Sequence, residues 1–419
     1  MSKELTISTR GIEMPESPIR KLAPLAYKAE DEGVKIYRLN IGQPDLPTPQ
    51  KALDALKEVD RKTLEYSPSQ GYRSLRTALV NYYERYQIKL SADDIIITCG
   101  GSEAVLFAFM SCLNPGDEII VPEPAYANYM AFAVSAGAVI RTITTTIEEG
   151  FCLPKVERFE ELINERTKAI LICNPNNPTG YLYTQKEMNQ IRDLVKKHNL
   201  YLFSDEVYRE FIYTGSPYIS AMHLDGIEQN VVLIDSVSKR YSECGIRIGA
   251  LITKNEAVRK TVMKFCQARL SPPLIGQIVA EASIKGTEAY SREVYEEYLE
   301  RRKTLIDGVN RIPGCYTPIP MGAFYTVAKL PVDDAEKFCA WCLSDFRYTD
   351  EKTASLTPSG HVAEVKAETI MMAPAAGFYT TPGSGVNQVR LAYVLCKEDI
   401  QRALMIMEKA IEEYNSLQK

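Results

Sequence analysis

Short apolar segments recur between residues 93 and 254 of the chain. Each is bounded by polar residues, glycine or proline and is long enough for a strand of about four to six residues. Their apolar positions are continuous rather than alternating, so the strands are expected to be covered on both faces. The predicted strands lie in DDIIITCG (93–100), DEIIVPEP (117–124), GAVIRTIT (137–144), KAILICNP (168–175), LYLFSDEVY (200–208), VVLIDSVSK (231–239) and GALITK (249–254).

Longer segments separate several of these strands, and their apolar residues repeat about every 3.6 positions, the period of an amphipathic helix. Examples are SEAVLFAFMSCL (102–113), ANYMAFAVSAG (127–137) and TQKEMNQIRDLVKKHN (184–199). Helices that connect continuously apolar strands are typical of a mostly parallel sheet with helices on both faces. The sequence therefore predicts an α/β fold built on a mostly parallel seven-stranded sheet.

The pattern changes after a long charged helix predicted over residues 287–312. The segments that follow indicate a smaller α+β domain, with strands in GAFYTVAKL (322–330), IMMAPAAGF (370–378) and QVRLAYV (388–394) and a closing helix over 398–414. The proline-rich N-terminal segment shows no alternation of strands and helices and is expected to pack on this smaller domain. We predict three parts, namely an N-terminal segment (1–48), a large domain (49–290) and a small C-terminal domain (291–419).

The composition is that of a globular protein, with 419 residues of which 45% are hydrophobic and 25% charged. Lysine and arginine total 49 against 54 acidic residues, and no basic block is present, so nucleic acids and anionic membranes are disfavoured as partners. No segment reaches the roughly 18 consecutive apolar residues of a membrane span. The first residues also lack the apolar stretch of a secretory signal, so we expect a cytoplasmic protein.

The ten cysteines show no spacing typical of a disulfide framework. Cys339 and Cys342 form a CxxC pair, but they lie in a predicted amphipathic helix without a second CxxC. Because the chain has only three histidines, packing in the core is favoured over a zinc or redox role. We therefore predict no metal site and a reducing compartment.

Candidate chemistry follows the predicted strands, and ligands of open α/β sheets bind beyond the carboxyl ends of the strands. In TCGGSEAV (98–105), two glycines lead into a helix near Ser102, where free backbone N–H groups and the helix dipole favour a phosphate. A tight turn without a ligand has the same pattern. In CNPNNPTG (173–180), prolines and glycine favour a rigid loop that displays Asn176 and Asn177, although ordinary turns use the same residues.

A carboxylate ends another predicted strand. In LFSDEVYREF (202–211), the apolar segment runs directly into Asp205, and Tyr208 follows three residues later. A buried carboxylate needs a partner because an unpaired buried charge is costly. The alternative is that Asp205 caps a helix.

A lysine follows the strand in IDSVSKRYSECGIRIGA (234–250). Burying the ammonium group of Lys239 is costly, and lysine is the residue that forms Schiff bases with carbonyl groups. Ser236, Ser238 and Arg247 supply hydroxyls and a planar guanidinium suited to a phosphate. An imine-forming lysine beside a phosphate site and a buried carboxylate indicates a pyridoxal phosphate site, in which the carboxylate keeps the pyridine nitrogen protonated.

The order and spacing of these motifs resemble the class I/II aminotransferases of pyridoxal phosphate fold type I, most closely the aspartate aminotransferase-like branch. The motifs are GGSEA, NPNNPTG, DEVY, SxSK with GxRxG, and QVRLAYV, and the resemblance extends from LNIGQPD (39–45) to the C-terminal helix. It implies that Lys239 forms the imine with the cofactor and then moves a proton. It also implies that Asp205 pairs with the pyridine nitrogen and that Asn177 and Tyr208 contact the 3-oxygen of the ring.

The resemblance implies further contacts. The catalytic residues would be Lys239, Asp205 and Tyr208, and the remaining cofactor contacts would come from Tyr126 on the ring face and from Gly101, Ser102, Glu103, Ser236, Ser238 and Arg247 around the phosphate. Two residues depart from the family pattern. Glu103 follows Ser102 where some aspartate enzymes have a lysine, and Ile246 stands where the family usually has a bulky aromatic residue. Both departures bear on which substrate side chain the pocket prefers.

The resemblance also implies the substrate contacts. Arg390 would bind the α-carboxylate, and the backbone of Gly42 and the side chain of Asn177 would assist it. A surface ion pair is the alternative for Arg390, but its apolar strand disfavours that. Tyr66 would reach the phosphate of the neighbouring subunit, so a homodimer with shared sites is expected.

We therefore expect an aminotransferase that moves an amino group between an amino acid and a 2-oxo acid by a ping-pong mechanism. Aspartate or glutamate is the first choice of donor, and an aromatic or broad range is the second. The alternatives are a pyridoxal phosphate-dependent lyase or decarboxylase on the same fold, or a cofactor-binding domain without turnover. A nicotinamide enzyme is disfavoured because no GxGxxG motif opens a βαβ unit.

Overall fold

A computed structural model describes residues 5–286, 288–356, 362 and 364–418. Its helices are α1 (Thr9–Glu13), α2 (Ala23–Asp31), α3 (Gln50–Lys57), α4 (Arg73–Glu84), α5 (Gly101–Cys112), α6 (Asn128–Ala136), α7 (Val156–Leu162), α8 (Gln185–His198), α9 (Val237–Arg240), α10 (Glu256–Arg269), α11 (Leu274–Lys285), α12 (Glu288–Val309), α13 (Ala335–Ser344) and α14 (Lys397–Leu417). Its strands are β1 (Val34–Arg38), β2 (Ile95–Thr98), β3 (Glu118–Glu123), β4 (Val139–Thr144), β5 (Thr167–Cys173), β6 (Tyr201–Asp205), β7 (Val231–Ser236), β8 (Gly249–Ile252), β9 (Tyr325–Lys329), β10 (Ala367–Met371), β11 (Ala373–Pro374) and β12 (Gln388–Ala392).

The central sheet contains seven strands in the order β2-β8-β7-β6-β5-β3-β4. Strand β8 is antiparallel to both of its neighbours, and every other neighbouring pair is parallel. All seven strands predicted between residues 93 and 254 are present, so the prediction of a mostly parallel seven-stranded sheet is confirmed.

Helices cover both faces of this sheet, as the continuous apolar strands require. Successive side chains of a strand point to opposite faces. Accordingly Ile96 packs in the cluster that contains Val105 of α5, whereas Ile95 and Ile97 pack in a second cluster with Leu79 of α4. At the edge of the sheet, β4 alternates between more and less exposed positions instead, because successive side chains point to opposite faces.

Two smaller sheets are formed by the N-terminal and C-terminal parts of the chain. Strand β1 pairs in parallel with β10, and β12 lies between β11 and β9 in an antiparallel sheet. Buried residues of α14, among them Ile406 and Met407, belong to the same apolar cluster as Ile370 of β10 and Leu391 of β12. The packing of β1 on β10 brings the N-terminal segment against the C-terminal region.

Two local expectations are wrong, and a third is confirmed except for the last residues of the helix. The N-terminal segment contains helix α2 and strand β1, although its pattern suggested no such alternation. The segment 370–378 is not one strand, because its last residues, Ala375–Phe378, form a 3-10 turn. The helix predicted over 287–312 ends at Val309, and the predicted start, Thr287, lies outside the described residues. The predicted boundary after residue 290 falls within α12, and the division into three parts stays a prediction.

The CxxC pair lies on the buried face of α13, where Cys339 and Cys342 are 1% and 0% exposed. Burial raises the pKa of both thiols, so neither is a thiolate at neutral pH. Across the part of the chain that the structure describes, no helix is both long and apolar enough to cross a bilayer.

Candidate active site

A cavity of about 710 Å³ opens beyond the carboxyl ends of the central parallel strands. Register pairs Cys173 with Asp205 and Asp205 with Ile234, so the ends of β5, β6 and β7 meet at one edge of the sheet. The predicted site residues that line the cavity are Gly42, Gly101, Ser102, Tyr126, Asn177, Asp205, Tyr208, Ser236, Ser238, Lys239, Arg247 and Arg390. The structure therefore brings together segments from both ends of the chain and from the large sheet.

Asp205, the last residue of β6, is a buried carboxylate beside the cavity. It accepts hydrogen bonds from the Tyr129 hydroxyl (2.6 Å) and from the backbone N–H of Val207 (3.3 Å). Burial raises its pKa to about 6, and the hydrogen bond from Tyr129 opposes this rise. Within the described residues no cationic side chain pairs with this carboxylate. The site is therefore suited to a ligand that brings its own positive charge.

Lys239 lies in the one-turn helix α9, directly after β7. Its Nζ donates to the carbonyl oxygen of Gly42 (2.8 Å) and lies 3.8 Å from the Sγ of Cys244. No carboxylate among the described residues forms an ion pair with this ammonium group. The amine is half-buried and faces the cavity, where it can react with a bound carbonyl compound.

An anion site, here called the phosphate cradle, is formed by Gly101, Ser102, Ser236, Ser238 and Arg247. Helix α5 begins at Gly101, so its first N–H groups and its dipole face the cavity. The Ser236 hydroxyl lies 2.9 Å from that of Ser238. Among the described residues, the Arg247 guanidinium donates hydrogen bonds only to carbonyl oxygens, those of Cys244 (3.0 Å) and Cys99 (3.4 Å). Its charge is therefore available to an anion.

A glycine permits the close approach of two parts of the cradle. Gly100, which precedes α5, has a φ of 81°, a conformation that favours glycine. A Cβ atom there would lie 2.4 Å from the Nη2 atom of Arg247. The absence of a side chain at this residue thus lets the guanidinium lie against the start of the helix.

Arg390 is the buried cation of β12, with 1% of its surface exposed. Its guanidinium donates to the side-chain oxygen of Asn177 (3.1 Å) and to the backbone oxygen of Asn40, and it lies over the rings of Tyr325 (4.6 Å) and Phe378 (5.0 Å). Its Nε has no hydrogen-bond partner. Burial lowers the pKa of Arg390, and no acidic group of the described residues compensates for it. This arrangement suits a ligand carboxylate.

A chain of hydrogen bonds connects the environments of Arg390 and Lys239. The Asn177 amide donates to the Tyr208 hydroxyl (3.3 Å), which lies 3.2 Å from the Tyr325 hydroxyl. Tyr325 in turn donates to the Gly42 oxygen (3.5 Å), the same atom that accepts from Lys239. Burial raises the pKa of Tyr208 well above its usual value, so this hydroxyl is a neutral donor at physiological pH.

Two predicted residues lie outside the cavity. The Glu103 carboxylate accepts from the Cys99 N–H (2.8 Å) and pairs with Arg269 (3.1 Å), so its side chain is directed away from the proposed cofactor contact. Tyr66 is 76% exposed on the surface of the single chain. The structure thus does not bring either residue to the other site residues.

Three residues that contact the site were missed from the sequence. Tyr129 hydrogen-bonds Asp205, Tyr325 contacts both Tyr208 and Arg390, and the Asn40 backbone accepts from Arg390. The segment PAYANY contained a signal for the first, because Tyr129 lies one helical turn after Tyr126. No comparable signal marks Asn40 or Tyr325.

Pyridoxal phosphate fits the residues of the cavity. The unpaired buried carboxylate of Asp205 matches a protonated pyridine nitrogen, and the Lys239 amine matches an aldehyde. The phosphate cradle matches the phosphate, because its arginine has no acidic partner among the described residues. Tyr126, whose hydroxyl accepts from the Asn128 amide (2.8 Å), lines the same cavity and offers an aromatic face.

Comparison with known proteins agrees with this fit. The family model described as aminotransferase class I and II matches residues 34–404. The chain is 30% identical over 418 residues to an aspartate aminotransferase of Pyrococcus horikoshii, with 97% of each chain covered. It is 28% identical to aromatic-amino-acid aminotransferase 2 of Thermococcus litoralis, covering 98% of this chain and 99% of that one.

A solved structure shows the same architecture. The aspartate aminotransferase of Thermus thermophilus with maleate superimposes with a TM-score of 0.85 at 26% identity, covering 97% of this chain and 100% of that chain. The shared fold and the length of the family match leave no large part of the chain unexplained. The protein belongs to the class I and II aminotransferases, enzymes that use pyridoxal phosphate.

Proposed function

We propose that this aminotransferase exchanges an amino group between an amino acid and a 2-oxo acid by a ping-pong cycle, with Lys239, Asp205 and Tyr208 as its catalytic residues. The observation that supports this proposal is one cavity that brings together Lys239, Asp205 and Arg390, none of which has a counter-ion among the described residues. Each has the charge or reactivity that the cofactor or a substrate would complement.

When bound, pyridoxal phosphate supplies a conjugated ring that accepts electrons from the Cα atom of the substrate. Asp205 would hold the proton on the ring nitrogen, and the Tyr129 hydroxyl keeps the carboxylate in position. The phosphate cradle would bind the phosphate. Asn177 and Tyr208, linked by their own hydrogen bond, would hold the 3-oxygen of the ring, and Tyr126 would contact the ring.

Lys239 has two successive roles in this proposal. Its Nζ would hold the cofactor covalently, and as a free amine it would remove a proton from the Cα atom of the bound substrate. A positioned general base contributes a factor of about 10²–10⁴ to the rate. As a free amine, Nζ donates to the Gly42 carbonyl oxygen, 2.8 Å away, which holds it beside the cavity.

Arg390 binds the α-carboxylate of the substrate, with the Gly42 backbone and Asn177 beside it. The contact between Arg390 and the Asn177 oxygen (3.1 Å) aligns the guanidinium within the cavity. Because this interaction would retain the α-carboxylate, it favours loss of the Cα proton over decarboxylation.

We also propose a cytoplasmic homodimer with shared active sites. The exposed Tyr66 would contact the phosphate bound by the other subunit, which accounts for an aromatic side chain left 76% exposed in the single chain. The ten cysteines are all free, as in proteins of reducing compartments. Acidic amino acids are the proposed donors, and aromatic amino acids are the second choice.

A donor-only experiment tests the reaction type. The holoenzyme mixed with an amino acid and no acceptor should release one equivalent of 2-oxo acid per subunit and then stop, and 2-oxoglutarate should restart it. Lys239→Ala should abolish this turnover, whereas Lys186→Ala, at an exposed residue of α8, should not change it. Continuous release of ammonia or carbon dioxide without an acceptor would contradict the proposal.

A further inference from the structure

The cavity contains one charged side chain that the proposed function does not use. Its charged lining residues are Arg20, Asp205, Lys239, Arg247 and Arg390. Under the proposed function, the pyridine nitrogen, the aldehyde, the phosphate and the α-carboxylate account for all of these residues except Arg20. Asp205 is the only acidic residue among them, so the cavity with its cofactor bound retains a surplus positive charge at Arg20.

Arg20 lies in a short turn that is tied to the environment of Arg390. The backbone N–H of Arg20 donates to the Ser17 oxygen (3.1 Å), which closes the turn. The side chain of Asn40 donates to the Ile19 oxygen (3.1 Å), and the backbone oxygen of the same asparagine accepts from Arg390. Asn40 thus fixes the turn that contains Arg20 relative to the buried Arg390.

Arg20 lines the same cavity as Arg390 and Tyr126. Burial raises the pKa of Tyr126 to about 12, and the positive charges of Arg390 and Arg20 both oppose this rise. Both guanidinium groups are therefore near enough to the Tyr126 hydroxyl to act on its pKa. Two carboxylates of one small molecule could pair with them.

Arg20 has no acidic partner among the described residues, although its neighbour has one. Lys21, the next residue, pairs with Glu336 of α13 at 2.5 Å and does not line the cavity. Arg20 is exposed to solvent at the cavity, where Gln43 and Asn128 add neutral hydrogen-bonding groups. A planar guanidinium binds a carboxylate through two parallel hydrogen bonds, so the arrangement suits an acidic side chain.

We infer that Arg20 binds the side-chain carboxylate of a dicarboxylic amino acid or 2-oxo acid and thereby makes acidic substrates the preferred ones. The inference rests on the proposed function, in which Arg390 binds the α-carboxylate. The specificity-determining residue would then come from the N-terminal segment of the same chain, while the cofactor contacts come mainly from the large sheet.

The half-reaction with donor alone provides the kinetic test, because it involves no second substrate. Aspartate and asparagine have nearly the same shape and differ in charge, as do glutamate and glutamine. Arg20→Met should lower kcat/KM for aspartate and glutamate by about 10- to 100-fold, the effect of one charge-assisted hydrogen-bonded pair, and leave both amides unchanged. Lys21→Met, in the same turn, is the matched control and should change none of the four values. Equal losses for acids and amides, or no loss at all, would overturn the inference.

A binding measurement separates failure of this inference from failure of the proposed function. Calorimetric titration of the holoenzyme with succinate and with butyrate requires no turnover. Arg20→Met should weaken succinate binding by about 10- to 100-fold and leave butyrate binding unchanged. If the wild type fails to transaminate but succinate binding still depends on Arg20, the proposed function is wrong and the binding role stands. If the wild type transaminates and succinate binding is insensitive to Arg20, only the inference is wrong.

Discussion

Asp205→Asn should stabilise the cofactor-free protein at neutral pH while it weakens cofactor binding. The carboxylate is buried, accepts a hydrogen bond from Tyr129 and has no cationic partner among the described residues. Without the cofactor, an ionised Asp205 is therefore a cost to the folded state. Asparagine has nearly the same shape and still offers an oxygen to the Tyr129 hydroxyl, so the substitution removes the charge and, of the two hydrogen bonds, loses only the longer one from the Val207 N–H (3.3 Å).

The magnitude follows from the pKa of Asp205. Burial raises it from 3.8 to about 6, and each unit corresponds to about 1.4 kcal/mol, so the ionised folded state is disfavoured by about 3 kcal/mol. Between these two pH values the folded state binds a proton that the unfolded state has released. The free energy of unfolding of the cofactor-free wild type should therefore fall as the pH rises from about 4 to about 6 and then become constant. The variant should lack this contribution.

Thermal melts of both cofactor-free proteins between pH 4 and pH 8 test the reasoning. In a folding unit of 150–250 residues, a difference of 1 kcal/mol in unfolding free energy shifts Tm by about 2–4 °C. The Tm of the variant minus that of the wild type should therefore rise by roughly 6–12 °C between pH 4 and pH 8. Pyridoxal phosphate should cancel the difference in the wild type by supplying a positive charge beside Asp205. A difference in Tm that does not vary with pH would refute the reasoning, as would a variant that is less stable at pH 7.

Three further outcomes are expected. Asp235→Asn removes a buried carboxylate whose two arginine partners keep its pKa at about 2, and it leaves Arg240 without its ion-pair partner and Arg209 with Glu206 alone (3.7 Å). This loss should cost about 3–5 kcal/mol of unfolding free energy in urea titrations above pH 4, less as the pH falls towards 2. Gly100→Ala should weaken cofactor binding in fluorescence titrations because its Cβ would lie 2.4 Å from the arginine of the phosphate cradle, whereas Gly116→Ala, with a similar φ of 87° and open space around it, should not. Mixing Lys239→Ala with Tyr66→Phe subunits should restore activity if the two subunits share their active sites, because one site of each heterodimer then carries neither substitution. Verified exchange of subunits without recovery of activity would contradict shared sites.

The large sheet was predictable because its strands are buried on both faces. A continuous apolar segment such as the one ending at Asp205 fits few structures other than a buried strand when segments with helical periodicity lie on either side of it. Strand β1 was missed because VKIYR is short, half-polar and stabilised by pairing with residues 367–371, more than 300 positions away. Pairing over such a distance leaves no pattern in either segment alone. The same reason explains why Asn40 was missed, since its backbone contact with Arg390 depends on how the two ends of the chain meet.

The site residues that could be predicted were those whose chemistry conflicts with their local sequence. Asp205 and Lys239 follow apolar strands, and Arg390 lies inside one, so each needs an explanation that packing does not supply. Arg20 and Tyr325 show no such conflict, because an arginine in a polar turn and a tyrosine in a strand are ordinary. Their position at the cavity emerges only from the tertiary structure.

The origin of these residues in the chain bears on how specificity can vary in this fold. The groups proposed for the cofactor come mainly from the ends of β5, β6 and β7 and from the start of α5, all within the large sheet and its helices. Those proposed for the substrate, Arg20 and Arg390, come from a turn near the N-terminus and from β12, which are joined through Asn40. A change at Arg20 can therefore alter which side chain is accepted while the carboxylate, lysine and phosphate cradle stay in place. Reaction type and donor preference are then separate properties of one cavity, and a measurement of either leaves the other open to independent test.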